Sequence, residues 1–356
     1  MKLDRYNLAN CNARVKHVCP VVLAWMVVVA MSLCMHGNRG IAQPPTDQAI
    51  EHITPEQTSS EIVSQPNPGT NKLSQQSQPQ AVALLRKAME MVVLGPAFDA
   101  KVRETVWTTG RKVVGVGTYE QAGGGSGRFN LQVIMHDGDG KHRLQQISDG
   151  RLAWTRSEVA GKVSLRRVDV GRLDQWVQGV SKSNISPGQQ VGAWAEMLSQ
   201  VERDYVLQVN EGKLKEEPVW VVSGRLRKQK RDEIMAESKR ETWPELHPTR
   251  VMIAIQSQSN PETGFGKLLP VRMEFWSSLS DSKGKEKPQP SEAIKRDGRL
   301  ITLVELYSIR PINPPPVERF RFENHDAEVN FVNETDRYIQ SYGVELTERQ
   351  RRQLMR

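Results

Sequence analysis

Cysteine is almost missing from this 356-residue chain, and its few copies are badly placed to do chemistry. Cys11, Cys19 and Cys34 all fall within the first 34 residues. Residues 43–356 contain none, which excludes disulfides, thiolate metal sites and a thiol nucleophile from the body of the protein. Aromatic residues make up 6% of the chain. The two most highly charged stretches, 226–247 and 281–298, interleave few aromatics with their Lys and Arg, so neither has the stacking platforms of a single-strand binder. Both are expected to be solvated loops. The formal charge of +8 also shrinks on division: residues 1–42 hold five Lys/Arg and one Asp, leaving +4 over residues 43–356. No electrostatic footprint for nucleic acid remains.

Long apolar runs are equally scarce. The one that stands out, "VVLAWMVVVAMSLCM" at 21–35, follows Lys2, Arg5, Arg14 and Lys16 and precedes "HGNRGIAQ". Basic, apolar and small-residue regions in that order describe a secretory signal peptide over 1–42, with Gly40 and Ala42 set for cleavage before Gln43. The run is shorter than the roughly 20 residues a spanning helix needs. Residues 43–80 are dominated by Gln, Pro, Ser and Thr, a composition that buries too little surface to offset ordering entropy, and are expected to be a disordered linker.

From residue 81 the pattern becomes structural. "QAVALLRKAMEMVVLGP" gathers Leu84, Leu85, Ala88, Met91 and Val92 on one side and stops at Gly95-Pro96, which predicts a helix over about 81–94. The period then changes to two. "KVRETVWTTG", "KVVGVGTYEQ", "RFNLQVIMH", "HRLQQIS", "RLAWTRS" and "KVSLRRVDV" are short alternating runs, and Asp149-Gly150 is a hairpin signal because Gly supplies the positive φ of a tight turn. A helical stretch follows, with Leu173, Trp176, Val177 and Val180 on one stripe and Trp194, Met197, Leu198 and Val201 on another, predicting helices at about 170–182 and 189–202. Strands resume at "DYVLQVN", "EPVWVVSGRLR", "TRVMIAIQSQ", "LLPVRMEFWSS" and "RLITLVELYSIRP". No βαβ rhythm appears, so the expected class is mainly β with a few helices and about eleven antiparallel strands. Residues 336–356 form a polar tail with weak helical patterning.

Motifs that carry chemistry are sparse. "EQAGGGSGRF" is Gly-rich but lies between strands, whereas a phosphate-cradling loop lies between a strand and a helix. "MHDGDGKHR" brings His136, Asp137, Asp139 and His142 close in sequence, yet it lacks the acidic twelfth position of a calcium loop and fits turn chemistry, so no metal is expected. His247 and His325 have no local Ser or carboxylate partners at catalytic spacing. No cofactor is implied and no enzyme is expected.

In order and spacing, the initial helix running into "TYEQ", then "RFNLQV", "SDGRLAWTRS", "VWVVSG", "LPVRMEFWSS" and "INPPPVERFRFENHDAEVNFVNE" resemble the LolA-like periplasmic carriers, which include the lipoprotein carrier and the amino-terminal domain of the stress regulator RseB. The resemblance covers about 80–335. It implies an unclosed, strongly curved antiparallel sheet, a half-barrel, capped by three helices with an apolar concave side, in a domain over 81–335. Phe129, Leu131, Val133, Met135, Trp154, Val271, Met273 and Phe275 are then the candidate cavity wall; that they pack a filled core instead stays open. In the lipoprotein carrier an Arg and a Phe govern the lid. Phe129 matches that Phe, and Arg128 is the candidate lid-control residue, although neighbours on a strand face opposite ways.

The function so implied is an exported, non-enzymatic carrier that sequesters the acyl chains of a lipid or lipoprotein, at most peripheral to membranes. The alternative is an envelope interaction or stress-sensor module on the same scaffold, with a protein partner. A metal-dependent hydrolase around His136 and His142 is a third, lesser reading.

Overall fold

The computed structural model describes residues 63–64, 76–107, 112–138, 140–177, 184–238, 243–244, 246–277, 298–324 and 329–354. The presequence, most of the linker, Asp139, His325 and most of the 281–298 stretch lie outside the described residues.

A single 13-stranded sheet organises the chain, in the order β1-β8-β9-β10-β11-β12-β2-β3-β4-β5-β6-β7-β13. Its strands are β1 (Val63–Ser64), β2 (Phe98–Trp107), β3 (Lys112–Gln121), β4 (Arg128–His136), β5 (Lys141–Asp149), β6 (Leu152–Val159), β7 (Lys162–Asp169), β8 (Tyr205–Leu214), β9 (Glu217–Leu226), β10 (Arg250–Gln256), β11 (Pro270–Ser277), β12 (Arg299–Pro311) and β13 (Phe331–Asn333). All neighbours are antiparallel except β13, which runs parallel to β7. Among the described residues the two ends of the order do not pair, so the sheet is an open, curved half-barrel. Register shifts between β10 and β11, β11 and β12, and β12 and β2 mark bulges, which bend a sheet.

Two meanders, β2 to β7 and β8 to β12, meet where β12 pairs with β2 along Thr302↔Val106 to Leu306↔Val102. That seam puts β7 and β8 near opposite edges. The connection between them has to cross the sheet, and it does so with α2 (Val170–Val177), a 3-10 turn at Gly188–Gln190 and α3 (Ala193–Asp204). Beside α3 lies α1 (Pro79–Leu94), with proline in its first turn and Ala81, Leu85, Ala88, Met89, Val92 and Val93 buried. Side chains of α1, α3 and the inner sheet face form one apolar core. A second cluster joins α2 to α5 (Thr335–Ser341) at the β6–β7 end, and a third lies across β9, β10 and β11. A last helix, α6 (Glu348–Leu354), follows α5.

The eleven strands and three helices expected from periodicity are present, with α2 shorter than the expected 170–182 and residues 178–183 outside the described set. Two expectations need correction. The charged stretch 226–247 contains α4 (Lys228–Ser238), a helix that among its described side chains buries Ile234 alone and is supported by Lys230–Glu233 at 3.1 Å and Gln229–Glu233 at 3.2 Å. Within the linker, Val63 and Ser64 pair with Lys213 and Gly212 of β8.

Candidate ligand-binding face under a helical lid

Alternation on β4 sends Phe129, Leu131, Val133 and Met135 to the inner face, where all four are buried in the main core. Met273 and Phe275 reach the same core from β11. Val271 does not. Ala254 pairs with Arg272 but Ile255 pairs with Pro270, so Val271 is the extra residue of a bulge and the alternation inverts at it. It packs on the convex side with Val219, Val221, Met252 and Ala254.

Trp154 is also on the convex side, contrary to the expectation from the hairpin. Asp149 Oδ1 accepts the N–H groups of Arg151 and Leu152 at 2.7 and 2.8 Å, and Gly150 takes φ +89°, so the turn occupies Gly150 and Arg151. That register gives the inner position to Ala153, opposite Ser148. Trp154 instead stacks on Phe322 at 4.9 Å, meets Phe331 edge-on at 5.3 Å and lies near the Arg167 guanidinium. Arg128 likewise faces outward, over the Phe320 ring at 6.0 Å.

The lid is fastened at the start of α3. Gly192 has φ +84° and Ala193, a residue with a Cβ, has φ +47°, a left-handed conformation that costs an L-residue about 1–2 kcal/mol. A Cβ on Gly192 would overlap the Phe129 ring. Three side-chain contacts hold this bend. Gln146 Oε1 on β5 accepts the Ala193 N–H at 2.9 Å, Glu196 Oε2 accepts the Gly192 N–H at 2.8 Å, and the Tyr338 hydroxyl of α5 donates to Glu196 Oε1 at 2.7 Å. Burial raises the Glu196 carboxyl above its usual range, against the hydrogen bonds from Tyr338 and Gly192 that favour its charged form. Burial, then the neighbouring Glu196, raises the Tyr338 phenol well above its ordinary value. Beneath the bend, among Phe129, Gln146, Ala153, Gly192 and Tyr338, is a cavity of about 10 Å³, room for one water at most.

One residue of this face escaped the reading of the sequence. On β2, Phe98, Ala100, Val102, Glu104 and Val106 share the inward parity, and Glu104 interrupts an otherwise apolar stripe. It is 7% exposed, and burial alone pushes its carboxyl up to about 8. The signal was a lone acid in a period-two apolar run. His142 is buried with Nε2 2.9 Å from Asp137 Oδ2, and Nδ1 accepts the Ala160 N–H at 3.3 Å, while His136 is exposed. Among the described residues no three His, Cys, Asp or Glu side chains are grouped as a metal would require. No described helix is long and apolar enough to cross a membrane.

No family model and no curated protein matches the chain. Solved structures do. It is similar to a LolA superfamily protein from Nitrosomonas europaea at 13% identity, over 68% of this chain and 97% of that one, with a TM-score of 0.25. It is similar to LprF from Mycobacterium bovis at 13% identity, over 68% and 99%, with a TM-score of 0.30. A chain in the MucA/MucB complex of Pseudomonas aeruginosa is similar at 12% identity, over 68% of this chain and 61% of that chain, with a TM-score of 0.34.

Proposed function

We propose that this chain is an exported, non-enzymatic binding protein whose inner face takes an apolar ligand, the acyl chains of a lipid or lipoprotein, when α1 and α3 move off the sheet. The arrangement described is then the closed state. The observation that carries the reading is the left-handed bend at Gly192 and Ala193, seated on Phe129 and held by Gln146 and Glu196. A strained backbone persists only where its surroundings impose it, so loss of three hydrogen bonds at one point favours release of the lid. The exposed inner face needs no polar chemistry to bind: about a dozen methylenes taken from water contribute on the order of 10 kcal/mol.

A specific observation favours a second reading. The cavity beneath the Gly192 bend is about 10 Å³, and Phe129, Leu131, Val133 and Met135 are buried in the main core, which supports a filled core in this state. A filled half-barrel suits an envelope interaction or sensor module that meets its protein partner through the outer surface.

Native mass spectrometry and lipid extraction separate the two, on protein exported to the periplasm of a Gram-negative host and purified without detergent. The carrier reading expects a co-purifying or added acyl species that is lost in Phe129→Ser and Met273→Ser proteins that still fold. An apo mass that takes up no added fatty acid or lipopeptide, in the Gln146→Ala protein as well, sinks the carrier and leaves the interaction module.

A further inference from the structure

Among the described residues, no side chain holds Glu104. It is 7% exposed, and no hydrogen bond or ion pair to its carboxyl is made by a described residue, although buried polar groups as a rule find partners. The other buried acids keep that rule. On the convex face Arg272 reaches Glu274 at 2.8 Å and Glu305 at 3.0 Å, and the Trp276 indole N–H donates to Glu274 at 3.1 Å. Inside, Glu196 has Tyr338 and Gly192. Glu104 is the exception, and it is on the face the ligand would use.

A second orphan lies beside it. Val304 of β12 is directly opposite Glu104, and Thr302, two residues back on the same strand, is therefore its diagonal neighbour, roughly 7 Å away by the geometry of antiparallel pairs. Thr302 is 1% exposed and its Oγ1 has no hydrogen-bond partner. On the other side of Glu104 is Gly115, and the space a Cβ would fill there is taken by the Met135 side chain. One carboxyl and one hydroxyl, both unpartnered, thus share a surface otherwise built from Val304, Met135, Met273 and Val102.

We infer that Glu104 and Thr302 form the polar anchor of a subsite inside the half-barrel, and that its ligand class is an acyl chain headed by an ester or amide carbonyl. The inference rests on the proposed apolar-ligand function. The chemistry is that of a neutral acid. In apolar surroundings the carboxyl keeps its proton, as its raised pKa also indicates, and a protonated carboxyl donates one hydrogen bond. A carbonyl oxygen is the acceptor that an ester-linked or amide-linked chain brings with it, and the Thr302 hydroxyl supplies a second donor. An ammonium headgroup would instead require the ionised acid, which this site disfavours. A buried acid left vacant destabilises the closed protein, as ligand-binding groups do when the ligand is away.

The test uses the exported full-length protein with methyl laurate and tridecane, two probes of similar length of which only the first has a carbonyl, measured by displacement of an apolar fluorescent dye. Wild type is expected to bind methyl laurate about tenfold more tightly than tridecane. Glu104→Leu is expected to raise Tm, to keep tridecane binding and to lose the preference for the ester, while Glu104→Gln, which retains an N–H donor, keeps most of it. Thr302→Val narrows the preference and carries the same test should Glu104→Leu not fold. Equal preference for the ester in Glu104→Leu, Thr302→Val and wild type overturns the anchor and leaves the apolar-ligand reading standing. Binding of neither probe by wild type overturns both.

Discussion

Glu104 sets a sign for the pH dependence of stability. Its folded pKa, about 8, lies above its ordinary 4.5. The folded protein therefore holds a proton that the unfolded chain releases, and the stability linked to that proton is complete below the unfolded pKa and is lost as pH rises through about 8. The loss across the interval is on the order of 5 kcal/mol. Glu196 and Asp204 are also raised, chiefly by burial, and act in the same direction. Glu104→Gln should consequently flatten, without abolishing, the fall in stability between pH 5 and 8, as read from urea midpoints at several pH values. At Gly192 the outcome is steric. Gly192→Ala adds a Cβ to a left-handed backbone and drives it into Phe129, and a loss of roughly 2–3 kcal/mol is expected by thermal unfolding.

Between elements, the proposed opening of the lid turns on the contact between β5 and the start of α3. Gln146→Ala removes the acceptor of the Ala193 N–H and leaves the strand ladders intact. Hydrogen exchange should quicken over residues 192–198 while β4 and β5 keep their protection. Equal protection of α3 in mutant and wild type would deny Gln146 this role. The bulge in β11 yields a second contrast at this scale. Met273→Ser should impair uptake of an acyl ligand, whereas Val271→Thr, on the other face, should leave uptake unchanged. The helices also show where periodicity stops being informative. α1 and α3 bury one side and announce themselves in the sequence. Among its described side chains α4 buries only Ile234, and it is charged on every side, so it has no apolar stripe to detect; its residues are good helix formers and its i,i+3 and i,i+4 pairs stabilise it locally.

Across the whole molecule, the carboxyl-terminal segment serves as a second cover. After β12 the chain returns over the convex face, burying Phe320 and stacking Phe322 on Trp154, then adds β13 beside β7 and places α5 against α2. Tyr338 links this cover to the lid through Glu196. Tyr338→Phe should leave the sheet intact and loosen α3, and removal of residues 335–356 should do more, because Val168, Leu173 and Val177 lose the apolar contacts of Ile339 and Leu346. Dye binding to exposed apolar surface, compared among the three proteins, would register that order.

By itself the sequence determined the strands, their hairpins and the amphipathic helices, because these depend on neighbours two to four residues apart: alternation on β4, Gly150 in a tight turn, the stripes of α1 and α3. It also placed Phe129, Leu131, Val133 and Met135 on a common side. Which side faced inward, and whether that side enclosed space, was decided only by tertiary structure. A strand's parity reverses with a single bulge, as at Val271, or with a one-residue change in where a turn closes, as at Trp154. The pairing of β12 with β2, which sends α2 and α3 across the concave face, joins segments some 200 residues apart and leaves no local trace. Glu104 belongs to both scales. Its parity was legible in "KVRETVW", but its isolation became visible only once the strands on either side had brought Val304 and Gly115 to face it.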